Sequence, residues 1–281
     1  PGTTSATPKL EDLRVRLSEI QQDHLLRFAD DLAPAELEAL CAQIAALDLE
    51  SVPALVREYV HSKPSFDPGS ATIAPPPGYM RGGDWDIETF RSAGEQLLRE
   101  GKVAAFTVAG GQGSRLGYDG PKGCYPGGAV TGKPLFACLA DWIHSAQDRY
   151  GATVPWYIMT SPLNHEATVA FFKQHDHFGL SSDDIMFLAQ GVLPSFDMAT
   201  GKILLASKGT VATNPDGHGG SLRALAHSGA LEGMKRRGVE HISYVQIDNP
   251  LARYLKLAMG TEEVEANFDL ALEGLDAIVG D

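Results

Sequence analysis

The chain has 281 residues, enough to bury a sizeable core without disulfide or metal staples, as one large domain or two smaller ones. Hydrophobic residues make up 43% and charged residues 21%, a globular balance that excludes disorder throughout. Lys plus Arg total 23 against 36 Asp plus Glu, and the net charge of −13 argues against a dedicated nucleic-acid or anionic-membrane surface, though not against one local basic pocket.

Pro1 to Pro8 is small and polar and lacks the basic and apolar regions of a signal peptide, so it reads as a flexible lead-in or a cloning remnant. Leu10, Leu13, Leu17 and Ile20 recur at helical spacing, as do Leu37, Leu40, Ile44 and Leu47. Pro34 suits the first turn of the second helix, and a third short helix is expected from Val52 to Val60. Residues 1–61 therefore read as an N-terminal helical segment whose apolar stripes serve packing. Residues 62–84, centred on Pro75-Pro76-Pro77-Gly78, suit neither a helix interior nor a central strand and read as a surface linker.

A helix is expected from about Asp86 to Glu100. From Lys102 onward, strands and helices alternate. The short apolar runs Val103 to Val108, Trp156 to Met159, Ile185 to Leu188 and His241 to Ile247 read as strands. Phe136 to Ala146, Glu166 to Gln174 and one long stretch from Ser221 to Arg237 read as helices. This alternation predicts an α/β fold, a mostly parallel mixed sheet with helices on both faces, over residues 85–254. Residues 255–281, with Glu262, Glu263 and Glu265, read as an acidic amphipathic helical piece. No apolar run approaches the roughly 18 residues of a membrane span. Cys41, Cys124 and Cys138 are few, odd in number and without metal-ligand spacing, which predicts a reducing, cytoplasmic setting.

The most informative stretch is Val108-Ala109-Gly110-Gly111-Gln112-Gly113-Ser114-Arg115-Leu116-Gly117, followed by Pro121-Lys122-Gly123. It ends an apolar strand, where open α/β sheets bind their ligands. Glycine lets the backbone approach a phosphate, and consecutive N–H groups cradle its oxygens. Arg115 offers a planar donor fork and Lys122 a movable point charge, and both suit a triphosphate. A dinucleotide fingerprint fails because Leu116 occupies the third glycine position, and a P-loop fails for want of Gly-Lys-Ser/Thr.

Ala109 to Gly117 with Pro121-Lys122 resembles the signature of nucleotidyltransferases that make UDP-sugars, and most of all the UDP-N-acetylhexosamine pyrophosphorylases. Further matches follow in that family's order: Phe171-Phe172, His175 and Phe178-Gly179-Leu180; Gln190-Gly191 with Pro194; Pro215-Asp216-Gly217-His218-Gly219-Gly220; and Arg237-Gly238 with Asp248-Asn249. Gln22, His24-Leu25-Leu26 and Phe28 resemble its helical lead. The likeness covers roughly residues 10–253.

This resemblance implies a Rossmann-like nucleotidyltransferase core and a uridylyltransferase reaction. UTP and a hexose 1-phosphate, most readily N-acetylglucosamine 1-phosphate or glucose 1-phosphate, give a UDP-sugar and pyrophosphate. It implies that Val108, Ala109, Gly110, Gly111, Gln112 and Gly113 carry the nucleotide, with Gln190 and Gly217 on its base side. Arg115 would neutralise the leaving pyrophosphate, and Lys122 would hold the α-phosphate and the attacking phosphate. Asp248 would anchor Mg²⁺, and His218 and Asn249 would lie by the sugar phosphate. A side-chain amide at Gln190 presents the donor and acceptor that complement the uracil edge. The remaining histidines, His24, His165, His175, His177, His227 and His241, read as surface or packing residues. Ser195 and Ser221 have no base and orienter in view, so a hydrolase triad is disfavoured.

The chain departs from the family pattern in two places. His218 replaces the family's asparagine, which leaves the choice of hexose open. After Asn249 the family's long second half, with its sugar-binding residues and another lysine, is not found, and the expectation, ahead of a fragment or a naturally short homologue, is that residues near Pro250 to Leu257 are missing from the sequence. A catalytically silent nucleotide-binding module of the same fold is the competing reading. A cytidylyl- or adenylyltransferase is disfavoured by Gln190 and the turn from Pro215 to Gly220.

Overall fold

In chain order the helices are α1 (Leu10–Glu19), α2 (Pro34–Ala45), α3 (Val52–Leu55), α4 (Ile87–Arg99), α5 (Leu135–Tyr150), α6 (His165–Gln174), α7 (Gly220–His227) and α8 (Ala230–Arg236). The strands are β1 (Val103–Val108), β2 (Trp156–Thr160), β3 (Ile185–Ala189), β4 (Val192–Pro194), β5 (Leu205–Ser207), β6 (Thr210–Val211), β7 (Thr213–Pro215) and β8 (His241–Gln246). The structure, a computed structural model, describes residues 10–62, 86–128, 130–217 and 219–249. The expected lead-in at Pro1 to Pro8, nearly all of the linker 62–84, His218 and the helical piece 255–281 lie outside the described residues. The chain divides into two units, one from Pro1–Pro77 and Val192–Pro215, the other from Gly78–Gly191 and Asp216–Asp281.

The first unit is built on the leucine stripes. Leu13, Leu17, Leu25, Leu40 and Ile44 are fully buried and form one apolar cluster with Ile203 and Val211. Pro34 opens α2, where its fixed φ suits the first turn and its missing N–H costs nothing. α3 runs on into a π-helical turn, Val56–Val60.

The sequence pattern assigns residues 192–215 to the α/β core, yet in the structure they group with the helices of this unit. They form two small antiparallel pairs, β4 with β7 and β5 with β6. Two physical reasons account for this. Ile203 and Val211 bury their side chains in the helical cluster. Gln22 then grips the backbone: its Nε2 donates to Gly201 O at 3.2 Å, and its Oε1 accepts from Ile203 N at 2.8 Å. A side-chain amide that satisfies both a donor and an acceptor substitutes for a neighbouring strand.

The second unit carries a parallel sheet in the order β3-β2-β1-β8. Alternate residues of its strands enter two different cores. Val103, Ala105, Trp156, Ile158 and Val245 pack with α5 and α6 through Phe136, Ile143 and Phe172. Ala104, Phe106, Tyr157 and Met159 pack on the other face with Ala224, Leu225, Ala230 and Met234 of α7 and α8. Burial on both faces explains why β1 and β2 read as near-continuous apolar runs rather than alternating ones. The one polar side chain inside β1, Thr107, is fully buried and accepts from Trp156 Nε1 at 2.7 Å. α4 starts at Asp86, whose carboxylate accepts from the backbone of Glu88 and Thr89 at 3.2 Å each.

The continuous helix expected from Ser221 to Arg237 is two helices. The break falls at Ser228-Gly229, where Gly229 adopts φ +78. That left-handed backbone ends α7 and re-aims the chain into α8, a conformation that favours glycine. The hydrophobic spacing continues across the break because both helices pack on the same sheet face, so periodicity alone runs through it.

Gly123 lies against the ring of Phe136, a fully buried core side chain, and a Cβ there would overlap the ring. Gly123→Ala is expected to lower stability by about 1–3 kcal/mol through overpacking. Urea unfolding of the whole protein checks this, and an unchanged midpoint would contradict the close packing of this loop on α5.

Candidate functional site

The strand order itself defines where a ligand belongs. From β1 the chain continues to β2 on one side, while β8 lies on the other. The crevice at the carboxyl ends of β1 and β8 is a topological switch point, the usual binding position in such sheets. Parallel register places Val108 opposite both Met159 and Gln246. The glycine loop, the start of the β2–α6 turn and the Asp248-Asn249 pair therefore leave the sheet at one level.

The loop after β1 is held by backbone contacts. Ala109 N donates to Met159 O at 2.7 Å, Gly113 N to Gly120 O at 2.8 Å, and Lys122 N to Gly111 O at 3.0 Å. Gln112 and Pro121 form an isolated antiparallel bridge. The loop thus doubles back, and Lys122 returns beside Gly111. Among the described residues the N–H groups of Gly110, Gly111 and Gln112 donate to no backbone carbonyl. A Cβ on Gly110 would stand 2.8 Å from Gln190 Oε1 and 3.4 Å from Ser161 Cβ, so only glycine fits there without a shift.

Asn164, just before α6, grips the same loop. It is 1% exposed, and its Oδ1 accepts from Ser161 N at 2.8 Å. Its Nδ2 donates to Ala109 O at 3.0 Å and to Gly111 O at 3.2 Å. Reading the sequence missed this residue. Its only signal there is an asparagine between a strand and a helix, which suggests an ordinary helix cap. The Ser161 hydroxyl is buried beside it without a hydrogen-bond partner among the described residues.

The predicted site residues come together in two groups. Lys122 Nζ lies 3.0 Å from Asp248 Oδ2, with side-chain exposures of 20% and 50%. A partly exposed ion pair of this kind is worth only about 0.2–1 kcal/mol, so both partners are easily redirected to other charges. Lys122 Nζ also passes 3.5 Å from where a Gly111 Cβ would be, directly over the loop. In the second group, Gln190 is 7% exposed and its Nε2 donates to Gly217 O at 3.1 Å. One amide N–H is therefore committed to the turn, and Oε1 faces Gly110. Gly217 has φ +72 and open space at its Cβ position, so its own backbone conformation is what calls for glycine.

Two predicted residues are not gathered in. Arg115 sits exposed in the short 3-10 turn Ser114–Leu116 and has no ion-pair partner among the described residues. Asn249 is exposed, and its backbone N–H donates to Gln246 O at 3.1 Å. His218 lies outside the described residues. Asp216, in the same turn, packs its carboxylate against Gly191 and Gly220, and its Oδ1 has no hydrogen-bond partner among the described residues. No group of three or more His, Cys, Asp or Glu suited to a metal is found among the described residues, and no helix there is long and apolar enough to cross a membrane.

The chain is similar to known proteins in sequence and in fold. A family model described as UTP–glucose-1-phosphate uridylyltransferase matches residues 70–277. The UDP-N-acetylhexosamine pyrophosphorylase-like protein 1 of Mus musculus is 38% identical over 266 residues, covering 86% of this chain and 50% of the relative. The UDP-N-acetylglucosamine diphosphorylase 2 of Arabidopsis thaliana is 34% identical over 269 residues, covering 90% of this chain and 53% of the relative. The uridine diphosphate N-acetylglucosamine pyrophosphorylase of Trypanosoma brucei, solved with an inhibitor, superposes with a TM-score of 0.72 at 26% identity, over 89% of this chain and 54% of that one. The chain spans about half the length of the relatives it matches.

Cys124, beneath the loop in the 3-10 turn Lys122–Cys124, has its thiol pushed up to about 12 by burial. An unfolded cysteine titrates near ~8.5. The native state keeps this proton where the unfolded chain loses it. Its contribution is thus complete below about pH 8.5 and falls as pH rises toward 12. Between pH 8 and 10, wild type is expected to lose more stability than Cys124→Ala, measured by urea midpoints. Equal losses would contradict the burial of this thiol.

Proposed function

The chain belongs to the UTP–glucose-1-phosphate uridylyltransferase family, and from that membership we propose that it carries the nucleotide half of an enzyme that makes a UDP-sugar and pyrophosphate from UTP and a hexose 1-phosphate. The observation that carries this reading is the meeting of three elements at the switch point: a doubled-back glycine loop, Lys122 above it, and Asp248 at 3.0 Å from that lysine. The names of the relatives support N-acetylglucosamine 1-phosphate or glucose 1-phosphate as the acceptor.

The chemistry is an in-line displacement. A phosphate oxygen of the sugar 1-phosphate forms a bond to the α-phosphorus of UTP, the bond from the α-phosphorus to its bridging oxygen breaks, and pyrophosphate leaves. The attacking oxygen is already ionised, so no general base is required. The protein's task is positioning and charge stabilisation. The N–H groups of Gly110, Gly111 and Gln112 receive phosphate oxygens, with Val108, Ala109 and Gly113 as the ends of that cradle. Lys122 exchanges Asp248 for the α-phosphate and the incoming phosphate. Arg115, exposed and unpaired with any described carboxylate, reaches the departing pyrophosphate with its donor fork. Gln190, held by Gly217, turns its remaining amide edge toward uracil. Asn249 is assigned to the sugar phosphate, as is His218, which lies outside the described residues.

The donor set fits Mg²⁺. Asp248 is a single exposed carboxylate at a strand end, and this ion is commonly held by one or two carboxylates, substrate phosphates and water. When bound there, it would neutralise charge on the phosphate oxygens. The free cysteines Cys41, Cys124 and Cys138 support a reducing, cytoplasmic location.

Single-turnover uridylyl transfer in the full-length protein tests the reading. Lys122→Ala is expected to lose on the order of 10²–10³ in rate with far less change in UTP affinity, because its charge offsets the repulsion between the α-phosphate and the incoming phosphate, which is greatest in the transition state. Arg115→Lys is expected to lose rate as well, since a point charge does not reproduce the fork. Near wild-type turnover by folded Lys122→Ala would remove the loop from catalysis. UTP binding without any transfer by wild type would favour the silent nucleotide-binding module. For the base, Gln190→Glu is expected to weaken UTP, because it removes a donor and adds negative charge; unchanged affinity would remove Gln190 from uracil recognition.

A further inference from the structure

We propose that Asn164 is a positioning residue that aims the phosphate-binding N–H groups of the glycine loop. The inference rests on the nucleotide reading of that loop. It concerns a residue on a different strand–helix turn, which touches the loop only from behind.

The amide orientation follows from its partners. Oδ1 faces the N–H of Ser161, which only an acceptor satisfies, so Nδ2 is the atom that faces the carbonyls of Ala109 and Gly111. The Ala109 carbonyl is thereby drawn toward the β2 side, and that of Gly111 is shared between Asn164 Nδ2 at 3.2 Å and Lys122 N–H at 3.0 Å. In a trans peptide the C=O and the following N–H point in opposite directions. The N–H groups of Gly110 and Gln112 belong to the same two peptide units as those carbonyls. They therefore point away from Asn164, and among the described residues they donate to no backbone carbonyl.

Two further observations single out Asn164. It precedes α6 at the N-cap position, yet its side chain makes no capping hydrogen bond to that helix. A residue type favoured as a cap spends its polar atoms elsewhere. It is also buried to 1% exposure, where each of those atoms must be satisfied. The tether joins β1 to the β2 turn across a sequence separation of 55 residues to Ala109 and 53 to Gly111.

Asn164 therefore pre-orients the cradle before any anion arrives, and touches no substrate itself. Its loss should weaken the phosphate part of the ligand and leave the base part alone. Asn164→Ser separates the roles. Its hydroxyl still accepts from Ser161 N, as in an ordinary serine turn, but is too short to hold both carbonyls. In the full-length protein, UTP, uridine and inorganic tripolyphosphate are titrated into wild type and Asn164→Ser, with Tm recorded for both. The expected result is about tenfold weaker UTP and tripolyphosphate binding, with uridine unchanged. The KM for UTP should rise, and that for the sugar phosphate should not. Asn164→Asp, which sets a carboxylate against both carbonyls, should be worse than Asn164→Ser in the same phosphate-specific way.

Equal weakening of uridine and UTP would mean a merely structural residue and overturn the proposal, as would unchanged UTP and tripolyphosphate binding in the folded variant. Failure of wild type to bind UTP would overturn the uridylyltransferase reading instead. The proposal is then decided by tripolyphosphate alone, and falls if wild type and variant bind it equally or neither binds it.

Discussion

The parallel register of β2, β1 and β8 is the constraint on which the second unit depends. Val108 stands level with Met159 and Gln246, and both faces of β1 and β2 are buried. A slip of one residue would exchange the residues of the two cores, moving Phe106 and Trp156 to faces that do not accommodate them. The register is therefore held by the packing of Phe136, Trp156 and Phe172 on one side and Phe106 on the other. Its consequence is that segments far apart in sequence, beginning at Ala109, Ser161 and Ile247, emerge side by side at the carboxyl edge.

On the proposed nucleotide reading, those segments share one electrostatic task. The chain carries a net charge of −13, so a polyanionic ligand meets a repulsive background. The site counters this locally. Backbone N–H groups supply partial positive charge that is fixed in place and costs no side-chain entropy. Lys122 adds a full charge, held over the loop by Asp248. The pairing keeps the lysine extended near its point of use, while its partial exposure keeps the pair weak enough to open.

The two units secure irregular backbone by the same device. In the first, Gln22 satisfies Gly201 and Ile203 and so anchors a hairpin of very short strands. In the second, Asn164 satisfies Ala109, Gly111 and Ser161 and so anchors the glycine loop. Both are buried amides that use donor and acceptor together. A buried amide that pairs all its partners rigidifies backbone that no sheet or helix ladder holds.

The sequence by itself determined the α/β class, the four strands of the parallel sheet, the N-terminal helices and the glycine loop with its Arg115 and Lys122. These were legible because they are local: a run of buried residues, a helical repeat or a glycine-rich turn carries its signal within a few residues. Family membership was legible for the same reason, in ordered short motifs. Three things were decided only by the tertiary structure. The break at Gly229 is hidden because the apolar spacing runs on across it. Residues 192–215 join the helical unit because Ile203 and Val211 find their core there, and strands of two or three residues have no period to read. The ion pair of Lys122 with Asp248 and the grip of Asn164 on the loop join residues separated by 126, 55 and 53 positions. Contacts of that range arise from strand order and register, which is why no local pattern announces them.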